Sequence, residues 1–134
     1  MATPTYDLIE EQVLGSASAS VVFGNGGTLT QAYKDLVLEI VGTTASDAQS
    51  LSFQFNNDSS ALYSDTFLWG TGSSASSSRD SSKTYGYLSY YTSNTTPGAF
   101  TMNVFGYSNT NVYKSVISRY NDSAHQVGAI VSLY

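Results

Sequence analysis

The sequence predicts an all-β fold: an antiparallel, jelly-roll-like β-sandwich of about eight strands.

 Three observations predict this class. Short stretches rich in Val, Ile, Tyr and Phe recur along the chain, turn-forming clusters of Gly, Asn, Asp and Ser separate them, and no long amphipathic helical pattern is present. The 134 residues fit one domain, and hydrophobic residues make up 41% of them, which is enough for one core.

Period-two alternation is clearest in three stretches, within residues 34–42, 49–56 and 100–107. Apolar residues occupy every second position there, as in a strand with one buried face. We expect the following side chains to line the core: Leu36, Leu38, Ile40, Leu51, Phe53, Phe55, Phe100, Met102 and Val104.

The other predicted strands cover residues 6–14, 18–23, 84–93, 112–120 and 127–134, and residues 62–69 form a mixed apolar stretch. The inward face of the stretch 112–120 is ambiguous, because apolar residues fall on both sides of it. "GNGG" after Phe23 predicts a turn, since Gly and Asn tolerate positive φ. The tract "GTGSSASSSRDSSK" predicts a Ser/Gly-rich surface loop at residues 70–83, inside a single domain that spans residues 1–134.

Charge and composition exclude several functions. The net charge is −5 with only five Lys and Arg, so no basic stripe is available for nucleic acid or an anionic membrane surface. No run of about 20 apolar residues predicts a membrane span, the N-terminal stretch lacks a signal-peptide core, and no cysteine is present. Charged residues make up only 11%, a composition typical of extracellular, virion and carbohydrate-facing proteins.

Catalytic candidates are few. The single histidine, His125, lies three residues after Asp122, with Ser123 between them, so a Ser-His-Asp triad is conceivable. The chain has no G-x-S-x-G nucleophile elbow, however, and a turn explains this stretch more simply. We therefore expect a protein that is not an enzyme and that holds no cofactor.

Two further groups of polar residues were candidates for chemistry. Asp35 and Glu39 fall on one face of a predicted strand, where a hydrolytic pair of carboxylates is conceivable, but an edge or a solvent-exposed face explains them more simply. Asn56, Asn57 and Asp58 could ligate calcium, yet they lack EF-hand spacing, and Asx-rich turns form without metals. We expect no metal site.

Tyrosines crowd the second half of the chain: Tyr85, Tyr87, Tyr90, Tyr91, Tyr107, Tyr113 and Tyr120. Tyrosine combines a large apolar area with a polar tip, so it suits half-buried contact surfaces. Two interpretations stay open: a sheet face filled by good strand formers, or a surface that contacts another subunit or a sugar. On a regular strand, Tyr85, Tyr87 and Tyr91 share one face and Tyr90 lies on the other.

The order of "YDLIEEQVLGSASASVVF", "YKDLVLEI", "LSFQFNND", "LWGTGSSASS" and "GYLSYY" resembles a family of small structural proteins of tailed-bacteriophage virions. Members of that family are described as capsid-fibre, tail-fibre or other structural proteins. The resemblance covers most of the chain, and strand patterns carry it, with no catalytic signature. It implies a β-sandwich domain that is displayed on the particle surface, commonly in multimers.

Among virion roles, we expect a capsid decoration or cement protein on the outside of the head, because Tyr6 already begins the first predicted strand and leaves no room for a fibre's attachment segment. The alternative is a receptor- or glycan-binding module of a tail or head fibre, whose aromatic side chains would stack on the sugar rings of a host glycan. By analogy with other virion proteins we expect a homotrimer that is assembled in the host cytoplasm and resides in the virion. Its expected partners are further copies of itself and the major capsid protein or another virion protein. The predicted protein-contact residues are Trp69, Ser74, Ser77, Arg79, Tyr85, Tyr87 and Tyr91.

Overall fold

A computed structural model describes residues 6–27, 29–122 and 126–134, and within them it shows eight strands. The strands are β1 (Leu36–Gly42), β2 (Leu51–Phe53), β3 (Tyr63–Gly70), β4 (Ala75–Lys83), β5 (Gly86–Ser89), β6 (Gly98–Phe105), β7 (Ser115–Asp122) and β8 (Gln126–Leu133). All of their pairings are antiparallel. The predicted all-β, antiparallel class is confirmed.

Six of the strands form one large sheet in the order β1-β6-β7-β8-β3-β4, and β2 pairs with β5 in a small second sheet. The β5 strand contacts β3, β6, β7 and β8, so the small sheet lies across one face of the large one. We call this covered side the inner face of the large sheet and the opposite side its outer face. One six-stranded sheet with a small partner is thus the architecture of the chain.

The hydrophobic core lies between the inner face and the small sheet. On β6, Phe100, Met102 and Val104 are buried, whereas Ala99 and Phe105, which alternate with them, are exposed. The other predicted core residues are partly buried and pack against the same cluster: Leu36, Leu38, Ile40, Leu51, Phe53 and Phe55. The predicted core positions are therefore confirmed, and period-two alternation identified the correct face of these strands.

Several buried side chains were not predicted: Tyr63, Phe67, Leu88, Val116, Tyr120 and Ile130. Tyr63 is fully buried because its polar tip has partners in the adjoining turn. Its hydroxyl accepts a hydrogen bond from the Phe55 amide at 2.9 Å and donates one to the Asp58 carbonyl at 3.3 Å. Burial is the main cause that raises the pKa of Tyr120 to about 12.

The predicted surface loop at residues 70–83 is wrong over most of its length. Residues 75–83 form β4, the strand at one edge of the large sheet, and only a short turn closed by the Thr71 amide and the Ser74 carbonyl (3.0 Å) precedes it. An edge strand with both faces largely in solvent needs no apolar side chains, so its Ser-rich composition does not distinguish it from a loop. Arg79, Asp80 and Lys83 put charge on this edge, as is common for strands that must avoid unwanted pairing.

The strands predicted at residues 6–14 and 18–23 are also absent. This stretch is irregular and mostly exposed, and its hydrogen bonds are local: the Gln12 side chain donates to the Val22 carbonyl at 2.7 Å, and the Gly24 amide donates to Glu10 at 2.9 Å. Its apolar residues follow no strand period, so no face could be buried consistently. The turn predicted at "GNGG" is confirmed, since the Gly27 amide donates to the Gly24 carbonyl at 3.0 Å.

We predict that Gly128→Ala destabilises the fold by about 1–3 kcal/mol, as overpacking a core does. A Cβ on Gly128 would lie 2.7 Å from the Leu68 carbonyl oxygen and 2.7 Å from Cζ of Tyr120, and a backbone carbonyl in a central strand cannot move aside. Gly42→Ala is the matched control in β1, because a Cβ there meets nothing within 4 Å. Denaturant unfolding measures both variants, and equal stabilities would contradict the packing described here.

Candidate contact surfaces

An aromatic cluster lies where β3 and β5 meet on the inner face. The Phe67 ring centroid is 5.2 Å from that of Tyr87 and 5.4 Å from that of Tyr90. Trp69 stacks on Tyr90 at 6.0 Å, and Tyr91 lies edge-on to Tyr90 at 4.7 Å. The aromatic cluster consists of Phe67, Trp69, Tyr85, Tyr87, Tyr90 and Tyr91.

Much of the aromatic cluster serves the fold. The hydroxyls of Tyr85 and Tyr87 lie 3.2 Å apart and share a hydrogen bond, which is the largest cause that raises the pKa of Tyr87, with burial second. The Tyr87 amide also donates to Asp65 at 3.2 Å. Tyr87 is thus held at both its backbone and its ring. Tyr90 is the most open member, with 37% of its surface exposed.

The predicted alternation of the tyrosines is wrong. It assumed one regular strand through residues 84–93, but β5 ends at Ser89, whose hydroxyl donates to the Tyr91 carbonyl at 2.7 Å. The chain leaves the strand there, and the Tyr90 ring comes within 6.3 Å of the Tyr87 ring. The two tyrosines that were expected on opposite faces therefore belong to the same aromatic cluster.

The seven predicted contact residues do not form one surface. The four aromatic residues among them belong to the aromatic cluster on the inner face. Ser77 and Arg79 are exposed on the outer face, because they pair with outward-facing residues of β3. Ser74 lies in the turn before β4, with its hydroxyl 3.0 Å from that of Thr71. A single flat partner could engage only part of this set.

The outer face of the large sheet is open and largely apolar. The small sheet lies on the opposite side, and the outer face carries large hydrophobic side chains that are 36% to 78% exposed. These side chains are Val37, Val41, Leu68, Phe105, Ile117, Val127, Val131 and Leu133. Monomeric proteins rarely expose apolar patches of more than a few hundred Å², so this face is a candidate interaction site. Sequence reasoning missed it, because the faces of β7 and β8 can be assigned only from the register.

Two opposite charges lie at one level of this outer face. Glu39 on β1 pairs across the strands with Thr101 on β6, and Thr101 pairs with Arg119 on β7. Among the described residues the one salt bridge joins Lys83 and Asp80 at 3.3 Å, so Glu39 and Arg119 form none within the described chain. Both are exposed. The outer face therefore presents an acidic and a basic group at one level, with one strand between them.

A buried carboxyl lies beneath the aromatic cluster. Asp65 is 1% exposed, and its Oδ1 accepts hydrogen bonds from the Ser132 hydroxyl at 2.5 Å and the Tyr87 amide at 3.2 Å. Its Oδ2 has no hydrogen-bond partner among the described residues. Burial is the largest effect on this group and raises the pKa of Asp65, against the opposing effect of the two hydrogen bonds. Asp65 thus ties β3, β5 and β8 together, which is a structural role.

The polar groups considered for catalysis or metal binding have local structural roles where they are described. Asn56 and Asn57 adopt positive φ in a turn, and the Asp58 carboxylate accepts hydrogen bonds from the Ser60 amide and the Tyr134 hydroxyl, both at 2.7 Å. The described residues contain no group of three or more His, Cys, Asp or Glu that could hold a metal ion.

The two carboxylates considered as a hydrolytic pair also have separate settings. Asp35 precedes β1 and accepts a hydrogen bond from the Gly106 amide at 2.7 Å, whereas Glu39 lies on the outer face. His125 and Ser123, which were considered for a triad with Asp122, lie outside the described residues.

Comparisons with protein families, with curated proteins and with solved structures give no match for this chain. In the part of the chain that is described, no helix is long and apolar enough to cross a membrane. The contact surfaces above therefore rest on the geometry of this chain alone.

We predict that Asp65→Asn gains stability relative to the wild type as the pH rises above the ordinary pKa of an Asp carboxyl and through the raised pKa of the folded state. The folded state holds the Asp65 proton more tightly than the unfolded chain does, because burial raises the pKa of Asp65 above its ordinary value. The stability that this group contributes is complete at low pH and is lost as the pH rises through the folded pKa. Asparagine cannot ionise and escapes this loss. Melting temperatures of both proteins at each pH give the measurement.

Asp58→Asn is the control for this prediction, because it should behave in the opposite sense. Hydrogen bonds from Ser60 and Tyr134 lower the pKa of Asp58, so its contribution is present at neutral pH and is lost as the pH falls. A constant difference between Asp65→Asn and the wild type over the whole range would contradict the assignment.

Proposed function

We propose that this chain is a structural protein of a bacteriophage virion, namely a capsid decoration or cement protein that lies on the outside of the head and stabilises the shell. The open apolar outer face is the observation that carries the assembly role, because burying apolar surface is the main favourable contribution to most protein association. The resemblance of the strand patterns to small virion proteins supports the particular setting.

The proposal makes the chain a binding component with no catalytic step, cofactor or metal. Its partners are other copies of itself, in a homotrimer, and the major capsid protein or another virion protein; nucleic acid and membranes are not among them. The jelly-roll-like sandwich belongs to this proposal too. In one chain the small sheet covers only the inner face, so a second full layer would have to come from a neighbouring subunit.

A glycan- or receptor-binding module of a fibre is the second candidate, and one observation favours it. Trp69 and Tyr90 stack with an interplanar angle of 30°, Tyr90 is 37% exposed, and Trp69 pairs with Ser76 of the hydroxyl-rich β4. Aromatic rings of this kind can stack on the apolar face of a sugar ring. This candidate would place the protein at a fibre tip, in few copies.

We predict that heads lacking this protein lose their shell integrity at a lower temperature than complete heads, and that adding the purified protein restores it. A ligand that binds only the assembled state stabilises that state by mass action. Light scattering during heating gives the measurement, and gold labelling gives the location. Label found on tails alone would overturn the decoration role in favour of the fibre module.

We also predict that Val127→Asp weakens binding of the protein to heads by about tenfold in Kd, seen as lower retention on washed heads, because burial of a valine contributes roughly 1.5 kcal/mol. Val127 is exposed on the outer face, so the change should leave the isolated fold intact. Leu62→Asp is the matched control: it puts the same charge on an exposed apolar residue in the turn before β3. Equal retention of the two variants would exclude the outer face from assembly.

A further inference from the structure

We infer that the outer face of the large sheet binds the outer face of a second copy of this chain, about a two-fold axis that is parallel to the strands and lies between β6 and β7. The inference rests on the proposed function, because it names the molecule that covers the outer face, the surface to which we assign assembly. The strand register and the positions of two charges on the outer face support it.

The register matches apolar side chains across such an axis. The rotation places the partner's β6 over β7 and the partner's β1 over β8. Residues that share a level along the strands in one copy therefore face the same level in the other. Val37 shares its level with Asn103, Ile117 and Val131, so it comes to lie opposite the partner's Val131.

The second pair of valines lies at the end of the same strands. Val41 pairs with Ala99 on β6, and Val127 pairs with Asn121 on β7. The Ala99 amide donates to the Asn121 side chain at 2.8 Å, which places the four residues at one level. Val41 thus comes to lie opposite the partner's Val127. These two valines are the most exposed of the four, at 78% and 63%, and the pairing would bury both.

The charges at the level between these valines also become complementary. Within one copy, Glu39 and Arg119 are two strand spacings apart, or about 10 Å, with Thr101 between them. In the pair, the partner's Arg119 lies over Thr101, one strand spacing from Glu39. Packed sheets are about 10 Å apart, a gap that two long charged side chains can span. The symmetry produces this ion pair twice, so neither charge is buried unpaired.

No other occupant suits this arrangement as well. A face meant for a uniformly charged partner would carry one sign of charge, whereas a self-complementary face carries both signs at positions that the two-fold axis brings close together. The pair would also build two packed six-stranded layers from two chains, which is the sandwich that one chain lacks.

The test uses sedimentation equilibrium of the purified full chain over a range of dilutions. We expect an even-numbered assembly, a dimer or a hexamer of paired trimers. Glu39→Arg and Arg119→Glu should each weaken the pairing by about tenfold or more, because each replaces two attractions by two repulsions. The double variant Glu39→Arg/Arg119→Glu should recover most of the affinity, since it restores both pairs with reversed sign.

Leu62→Asp serves as the control that adds a charge away from the outer face. Because Glu39 and Arg119 are exposed, the melting temperatures of their variants should stay near that of the wild type under dissociating conditions. A wild-type protein that is monomeric or only trimeric at about 1 mM, far above the Kd of a stable contact, would overturn the inference. Single variants that pair normally, or a double variant as weak as the singles, would overturn it as well.

These results separate the inference from the proposed function. A monomeric protein that still decorates heads would remove the two-fold pair and leave the virion role standing. A protein that forms the pair but neither binds nor stabilises heads would support the pair and overturn the virion role.

Discussion

The structure depends on one constraint: a six-stranded sheet has two faces, and this chain supplies a cover for only one of them. The small sheet contains strands of three and four residues, and these lie across the inner face. Large aromatic side chains extend this thin cover, as Phe53 does by packing edge-on to Phe55 and Tyr63. The core is therefore narrow and aromatic on one side of the sheet, while the other side stays open.

The sequence alone predicted the position and the buried face of those strands whose two faces differ in polarity. On β6, buried Phe100, Met102 and Val104 alternate with Ala99, Thr101 and other less buried residues, so period-two reasoning identified both the strand and its face. Burial of Tyr63 and Tyr120 could not be read in the same way, because a tyrosine suits a core or a surface equally well. For Tyr63, burial is possible because the Phe55 amide donates a hydrogen bond to its hydroxyl. That partner is known only from the three-dimensional structure.

Other features were missed because they depend on pairing between distant segments. β4 is a strand because its backbone pairs with that of β3, with Phe67 opposite Ser78 and Trp69 opposite Ser76. Its own side chains say little, since strand propensity is weak wherever neither face is buried. The predicted contact residues are close in sequence, but side chains alternate between the two faces of a sheet. Ser77 and Arg79 therefore lie on the outer face and Trp69 lies on the inner face.

The sequence of β7 and β8 does not show clearly which face of each strand is buried, and this ambiguity has a physical cause. An antiparallel strand with one face in water alternates between apolar and polar residues, and a strand buried on both faces does not. In β7, Val116 points inward and Ile117 outward; in β8, Ile130 points inward and Val131 outward. At these positions both faces of β7 and β8 are apolar, as in doubly buried strands, although a single chain buries only one side; the polar exceptions on the outer face of β7 include Arg119 and Asn121. The proposed pair accounts for these apolar outward residues, because it places Ile117 and Val131 against a second sheet, and the side chains then agree with their environment.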